Sequence, residues 1–264
     1  MSPVRPQASP DFPWYDSLWL SAFERARATI AQVAPARIEE FEHAFDVLRT
    51  DSNFEPRLLP GLFDADRMER IVSVTTALAP AQLEMHEARM FKRFVVHNHP
   101  EFTRLQSEIL AAVGEAAGEL LEPAYNFLSL YGPQGVCPLH MDSPQAKWTL
   151  DLCIRQHAPW EIHFSPVVPW PSTGSYSSTW EVELRESLRG QTRSFAPQPG
   201  EAILFSGSSQ WHFRDPIPAD DQQAFCDLLF FHFIPLGTAE LVKPESWARL
   251  FGIPELQEEA LTAG

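Results

Sequence analysis

Three side chains in this sequence have the types and spacing to hold one divalent metal ion. His140 and Asp142 stand two residues apart in Pro138-Leu-His-Met-Asp-Ser143, just after a Gly132-Pro-Gln-Gly135 turn. On an extended segment, residues i and i+2 share a face, so an imidazole and a carboxylate placed this way can reach the same ion. His212, in Ser209-Gln-Trp-His-Phe-Arg214, follows 72 residues after His140 on another expected strand. Two histidines and one carboxylate from separate strands form the facial set that suits non-haem iron(II), with adjacent coordination positions left open.

A His-x-Asp pair alone is a weak signal, and this is the one such pair in the chain. Its surroundings strengthen it. The pair sits at a strand mouth, and His212 follows Pro199-Gly-Glu-Ala-Ile-Leu-Phe205, a turn and then a buried strand. Arg214 lies two residues beyond His212 and so shares its face. The competing reading of His212 is a buried histidine hydrogen-bonded near Asp215. The remaining histidines read more simply. His97-Asn-His99 precedes Pro100 and reads as a helix cap. His163 and His232 read as core histidines, with His232 also able to serve beside a substrate. Trp148, Trp160, Trp170, Trp180 and Trp211 read as packing, with room for one of them to wall a pocket.

Positioning such a site requires a rigid frame, and the sequence suggests one. The first 120 or so residues read as mostly helical: Trp14–Val33, Arg37–Arg49, a helix capped by Asp64 and running to about Ala79, a turn over Ala81–Glu87, and Pro100 to about Leu121. Met90–His97 reads as extended, and residues 1–13 as a loose Pro-rich lead. After Pro123 come short apolar or alternating runs at 126–131, 136–140, 147–155, 160–164, 179–184, 192–195, 201–206, 210–214 and 224–234. Strands of this number and length predict a sandwich or barrel. Pro171–Ser178 is a serine-rich loop, and Glu245–Phe251 a final short helix. Lys147–Arg155 alternates, with Trp148, Leu150, Leu152 and Ile154 on one face and Thr149, Asp151, Cys153 and Arg155 on the other. The polar face points either to solvent or into a wet pocket, and alternation does not choose.

Composition narrows the function. A net charge of −15, with three lysines in 264 residues, opposes a nucleic-acid partner, which calls for a basic face. The stretch lacks a run of apolar residues long enough to span a membrane. Cys137, Cys153 and Cys226 are odd in number and widely spaced, which fits a reducing cytoplasm and no disulfide framework. A small molecule, an amino acid or a peptide residue is the expected substrate.

The order strand, His140-x-Asp142, strands, Pro199-Gly-Glu-Ala-Ile-Leu-Phe205, His212, strand resembles the Fe(II)/2-oxoglutarate-dependent oxygenase superfamily, over about residues 126–234. The resemblance implies an α+β fold: a double-stranded β-helix (jelly roll, cupin-like) with a helical N-terminal cover. As one domain of 1–264, that divides into a cover at 1–122, a jelly-roll core at 123–235 and a helical tail at 236–264. It implies Fe(II) on His140, Asp142 and His212, with 2-oxoglutarate and O2 taking the open positions. Decarboxylation of 2-oxoglutarate to succinate and CO2 would then be coupled to oxidation of an unactivated C–H bond. Halogenating relatives replace the carboxylate, so Asp142 favours hydroxylation, or desaturation or ring closure.

One departure from the pattern stands out. Many members place an arginine about ten residues after the distal histidine to pair with the 2-oxoglutarate C5 carboxylate. Asp220-Asp-Gln-Gln-Ala-Phe225 holds no basic residue. Arg155 on the polar face and Arg214 beside His212 are the candidate anchors, Lys147 a third, with Tyr131 and Asn126 as further hydrogen-bond donors. Either arginine could instead be tied in an ion pair, Arg155 with Asp151, and Arg214 with Asp215 or Asp227. The missing arginine also leaves open an iron oxidase or dioxygenase that takes no 2-oxoglutarate, and a jelly roll kept only as a binding scaffold.

Overall fold

A computed structural model describes residues 12–15, 17–173, 176–217 and 223–257. The Pro-rich lead up to residue 11, the middle of the serine-rich loop, residues 220–222 of the arginine-poor segment and the tail beyond 257 lie outside the described residues.

Two antiparallel sheets form the body. The larger has the order β1(Arg57–Leu59), β8(Ala202–Phe205), β5(Trp148–Gln156), β10(Cys226–Pro235), β3(Leu121–Tyr131), β2(Arg93–His97). The smaller has the order β4(Cys137–His140), β9(Gln210–Arg214), β6(Ile162–Val167), β7(Arg193–Phe195). Residues of both sheets line one internal cavity, so the sheets face each other across it.

The alternation of β5 finds its explanation in the helices. α3(Ala65–Ala77) begins at Asp64, whose carboxylate accepts the Arg67 backbone N–H at 2.8 Å. α4(Pro100–Ala117) has Pro100 at its first position and His99 as cap, and ends at Gly118, whose φ of +79° favours glycine. Phe102, Leu105, Ile109 and Val113 recur at helical spacing and bury one stripe of α4 against the outer face of the larger sheet, together with Ile71 of α3. Trp148, Leu150, Leu152 and Ile154 lie in that same cluster. The apolar face of β5 is therefore the outer one, and its polar face turns inward. Each such large apolar side chain contributes roughly 1.5–3 kcal/mol on full burial.

The smaller sheet is backed by a second core of aromatic rings. α1(Trp19–Val33), α2(Ile38–Ala44) and α6(Trp247–Phe251) bring Trp19, Phe23, Phe41 and Trp247 together with Phe45. Trp19 stacks on Phe23 at 5.4 Å, and Phe45 meets Trp247 edge-on at 5.3 Å. Leu139, Met141 and Trp211 belong to this cluster. They are the sequence neighbours of His140, Asp142 and His212, so each outward side chain is locked while the next one points in.

Four expectations change. Thr179–Leu184 is not a strand but the start of α5(Trp180–Ser187). Trp-Glu-Val-Glu-Leu alternates, yet Trp180 and Leu184 sit one helical turn apart and both pack on the aromatic core, while Glu181 pairs with Arg185. α1 starts at Trp19 and not at Trp14, because Trp14 leaves the helix path to meet Trp211 edge-on at 4.6 Å. Ala81–Glu87 holds only the end of a 3-10 turn and a bridge from Glu84 to Val95. β1 and the first five residues of β3 are additional strand.

Candidate metal centre

β4 and β9 lie side by side in antiparallel register with His140 opposite His212. Their rings approach with centroids 4.2 Å apart. Asp142 follows the end of β4, and its backbone N–H donates to Gly207 O at 2.8 Å, fixing the turn of the chain. The carboxylate then lies between the rings: Oδ1 is 3.5 Å from His140 Nε2 and Oδ2 is 3.8 Å from His212 Nε2. One donor atom from each of the three residues falls within 4.8 Å of the others.

The hydrogen bonds around the rings fix which nitrogen is available. His140 Nδ1 lies 2.7 Å from Pro138 O, and His212 Nδ1 lies 3.0 Å from Gln210 O. A carbonyl only accepts, so each Nδ1 carries a proton, and Nε2 is the ring nitrogen that faces Asp142 and can bind a metal once it carries none. Thr149, on the inner face of β5, donates its hydroxyl to Asp142 Oδ2 at 3.3 Å. Such outer partners orient metal ligands. Gly207 completes the cradle: a Cβ there would lie 2.3 Å from Asp142 Oδ2 and 2.6 Å from both Ala146 O and Thr149 Oγ1.

Electrostatics favours a cation at this point. Burial, and next the neighbouring His140, lower the His212 pKa to about 4. Burial also works against a charged His140, but Cys137 and Asp142 beside it carry its pKa well above the usual histidine value. Burial opposes the ionised Asp142, yet His212 and His140 together hold it below the ordinary carboxylate range. An anionic carboxylate, a neutral imidazole and a second imidazole that needs to lose one proton make a donor set for a divalent ion. Two nitrogens and carboxylate oxygen suit iron(II).

The cavity around the three residues measures about 180 Å³. Thr149, Ile162, Phe205 and Phe230 wall it near the metal site, and Arg93, Cys137 and Arg214 line it as well. Arg214 thus faces inward, as its spacing from His212 predicts. It is 2% exposed and donates to Asp151 Oδ2 at 2.6 Å and to Trp160 O. Tyr131 is buried beside it, edge-on to Trp160 at 4.8 Å, and its hydroxyl accepts from Arg93 Nη1 at 2.5 Å.

Of the cosubstrate candidates, Arg214 alone is among the described residues lining the cavity; Tyr131 is not, nor are the three others, which take different partners. Arg155 has a side chain 42% exposed and donates to Asp227 Oδ2 at 2.8 Å, from the register position opposite it on β10. The ion pairs are therefore Arg214–Asp151 and Arg155–Asp227, an exchange of the partners that sequence proximity suggests. Asn126 points its amide away from the cavity to α4, donating to Thr103 Oγ1 at 3.1 Å and Gln106 Oε1 at 3.0 Å. Lys147 precedes β5 and reaches Glu119 at 2.7 Å and Val47 O at 2.9 Å. Strand register accounts for Arg155 and Asn126, while Lys147 lies before the strand begins.

Among the histidines, His99 caps α4 and His163 bonds Ser194 Oγ at 2.7 Å. His232 is different: 2% exposed, it lines the metal cavity and stacks on Tyr125 at 4.0 Å, and its Nδ1 has no hydrogen-bond partner among the described residues. Burial lowers its pKa to about 4, so it faces the metal site as a neutral ring. Thr149, Gly207 and Arg93 were not singled out by the sequence. Only Thr149 left a trace there, on the polar face of β5.

No family model matches the chain, and no curated protein matches it. Solved structures do. The structure of EctD from S. alaskensis with 2-oxoglutarate and 5-hydroxyectoine is 14% identical, with a TM-score of 0.50 over 78% of this chain and 78% of that one. HygX from Streptomyces hygroscopicus with nickel, 2-oxoglutarate and hygromycin B bound is 13% identical, with a TM-score of 0.49 over 75% of this chain and 87% of that one. A 2OG-Fe(II) oxygenase family structure from Burkholderia pseudomallei is 12% identical, with a TM-score of 0.47 over 74% of this chain and 89% of that one. No helix among the described residues is long and apolar enough to cross a membrane. The chain thus resembles the EctD structure in fold, with a His-Asp-His group suited to a metal ion between its two sheets.

Proposed function

We propose that this protein is a non-haem iron(II) and 2-oxoglutarate-dependent dioxygenase that hydroxylates an unactivated C–H bond of an amino acid, a peptide residue or a small metabolite. The observation that carries this reading is the convergence of His140, Asp142 and His212 in an internal cavity, with both Nδ1 atoms already committed to carbonyls. The two strand orders, with the smaller sheet facing the larger, support a double-stranded β-helix.

His140, Asp142 and His212 hold Fe(II), which with 2-oxoglutarate and O2 supplies the oxidising power for C–H oxidation. The chain's own residues do the rest. Thr149 and the backbone of Gly207 hold Asp142 at its angle. Ile162, Phe205 and Phe230 exclude water from the reacting face. Arg214 gives the 2-oxoglutarate C5 carboxylate a planar guanidinium, with Tyr131 beside it. EctD and HygX structures with 2-oxoglutarate bound are in keeping with this cosubstrate. The pairing of Arg214 with Asp151 favours a second reading, an iron oxidase of the same fold that takes no 2-oxoglutarate.

The test is formation of succinate from 2-oxoglutarate by the Fe(II)-loaded protein. The proposal expects succinate from the wild type and none from His140→Ala or Asp142→Ala. Iron binding without any consumption or binding of 2-oxoglutarate would leave the second reading standing in its place.

A further inference from the structure

Beside the metal cavity lies an annex of about 90 Å³, walled by Trp14, Phe91, Val136 and Pro138 and sharing Arg93, Cys137 and His140 with the main chamber. Arg214 and Thr149 line the main chamber and not the annex. The annex is thus an apolar space that ends at a metal ligand and holds one guanidinium, that of Arg93.

Arg93 projects from β2 with its side chain 15% exposed. Its guanidinium lies 5.2 Å from the ring centre of Phe91, 5.3 Å from Tyr131 and 5.6 Å from Phe127, which fix its plane by cation–π contact. Nε donates to Glu87, and Nη1 donates to Tyr131 Oη. Nη2 makes no hydrogen bond to any described residue. A guanidinium offers five N–H donors in a rigid fork, so part of this one remains for a ligand. Arg214 also uses two donors, Nη2 on Asp151 and Nη1 on Trp160 O, but it lines only the main chamber.

We infer that the annex is the substrate subsite and that Arg93 reads an anionic group there, so that the substrate is a carboxylate carried on an apolar body. The inference rests on the oxygenase reading and deepens it. 2-Oxoglutarate would occupy the main chamber beside Arg214, and the substrate would arrive through the annex, its acid on Arg93 and its apolar part against Trp14, Phe91, Val136 and Pro138. Seating the acid on a fixed fork places the neighbouring carbons beside His140, where oxidation takes place.

The experiment is anaerobic calorimetric titration of the Fe(II)- and 2-oxoglutarate-loaded protein with phenylacetate, 3-phenylpropionate and indole-3-acetate, each against its primary amide. At least one acid should bind about tenfold or more tightly than its amide, the scale of a charged hydrogen bond. Arg93→Gln should erase that preference, and Arg93→Lys, which keeps the charge without the fork, should retain part of it. Affinity for 2-oxoglutarate should stay within about twofold in both variants. Equal binding or no binding of acids and amides by the wild type overturns the inference, as does a preference that survives in Arg93→Gln. A parallel loss of 2-oxoglutarate affinity in that variant assigns Arg93 to the cosubstrate and overturns it too. Should Arg93→Gln not fold, Val136→Glu decides the matter: an added negative charge in the annex should weaken the acids and spare the amides. Failure of the wild type to bind 2-oxoglutarate would refute the oxygenase reading, while the comparison of acid with amide in the metal-loaded protein would still decide the subsite.

Discussion

Gly207→Ala adds one methyl group and removes no ligand, yet it should disable the metal centre. A Cβ at residue 207 would stand 2.3 Å from Asp142 Oδ2, 2.6 Å from Ala146 O and 2.6 Å from Thr149 Oγ1. Non-bonded heavy atoms settle at about 3.5–4.0 Å, so the carboxylate has to retreat by about 1 Å or more. Ala146 O is backbone and yields little. Overpacking of this kind costs about 1–3 kcal/mol of stability. Displacing an orienting contact typically costs about 10–100-fold in metal affinity. Anaerobic Fe(II) titration by calorimetry should show that loss, and thermal unfolding should show a lowered midpoint with a smaller gain on adding metal. Gly132→Ala is the control, since its Cβ would meet only Lys92 O at 3.9 Å. Wild-type metal affinity in Gly207→Ala would refute the idea that a tight cradle sets the angle of Asp142.

Three further outcomes are expected. Arg155→Ala should lower stability by about 1–3 kcal/mol in thermal unfolding, because it leaves the buried Asp227 carboxylate without this partner, and should leave 2-oxoglutarate affinity unchanged. Asn126→Ala should lower stability by about 1–3 kcal/mol, through the buried partners it leaves on α4, and should not alter 2-oxoglutarate affinity. Metal binding should strengthen as pH rises. The raised pKa of His140 means that one proton has to leave before the ion binds, so affinity should grow up to about tenfold per pH unit until the pH passes that pKa. Calorimetry in two buffers of different ionisation enthalpy should find about one proton released per ion at neutral pH, and none released would contradict the assignment.

The chemistry of the centre was legible because it follows local rules. Two-residue spacing on a strand joins His140 to Asp142, and a Pro-Gly-Glu turn before a buried strand introduces His212. The direction of the polar face of β5 was not legible, because it depends on α3 and α4 covering the opposite face from a distance in sequence. The arginine partners were misassigned for the same kind of reason. Arg214 meets Asp151 across the gap between sheets, and Arg155 meets Asp227 through strand register. α5 was misread because Trp180-Glu-Val-Glu-Leu184 alternates as a strand does, while the contact that decides it, one helical turn apart on the aromatic core, is tertiary. Arg93 lay unnoticed in an extended run, since nothing local says that its neighbours Phe91, Phe127 and Tyr131 gather around it.

The central claim is that His140, Asp142 and His212 bind a single ion together. Anaerobic Fe(II) titration of the wild type beside His140→Ala, Asp142→Ala and His212→Ala tests it most directly, with circular dichroism confirming that each variant is folded. One ion per wild-type chain and a loss of at least about a hundredfold in affinity in every variant is the result expected. A folded His212→Ala protein that still binds one Fe(II) with wild-type affinity would contradict it.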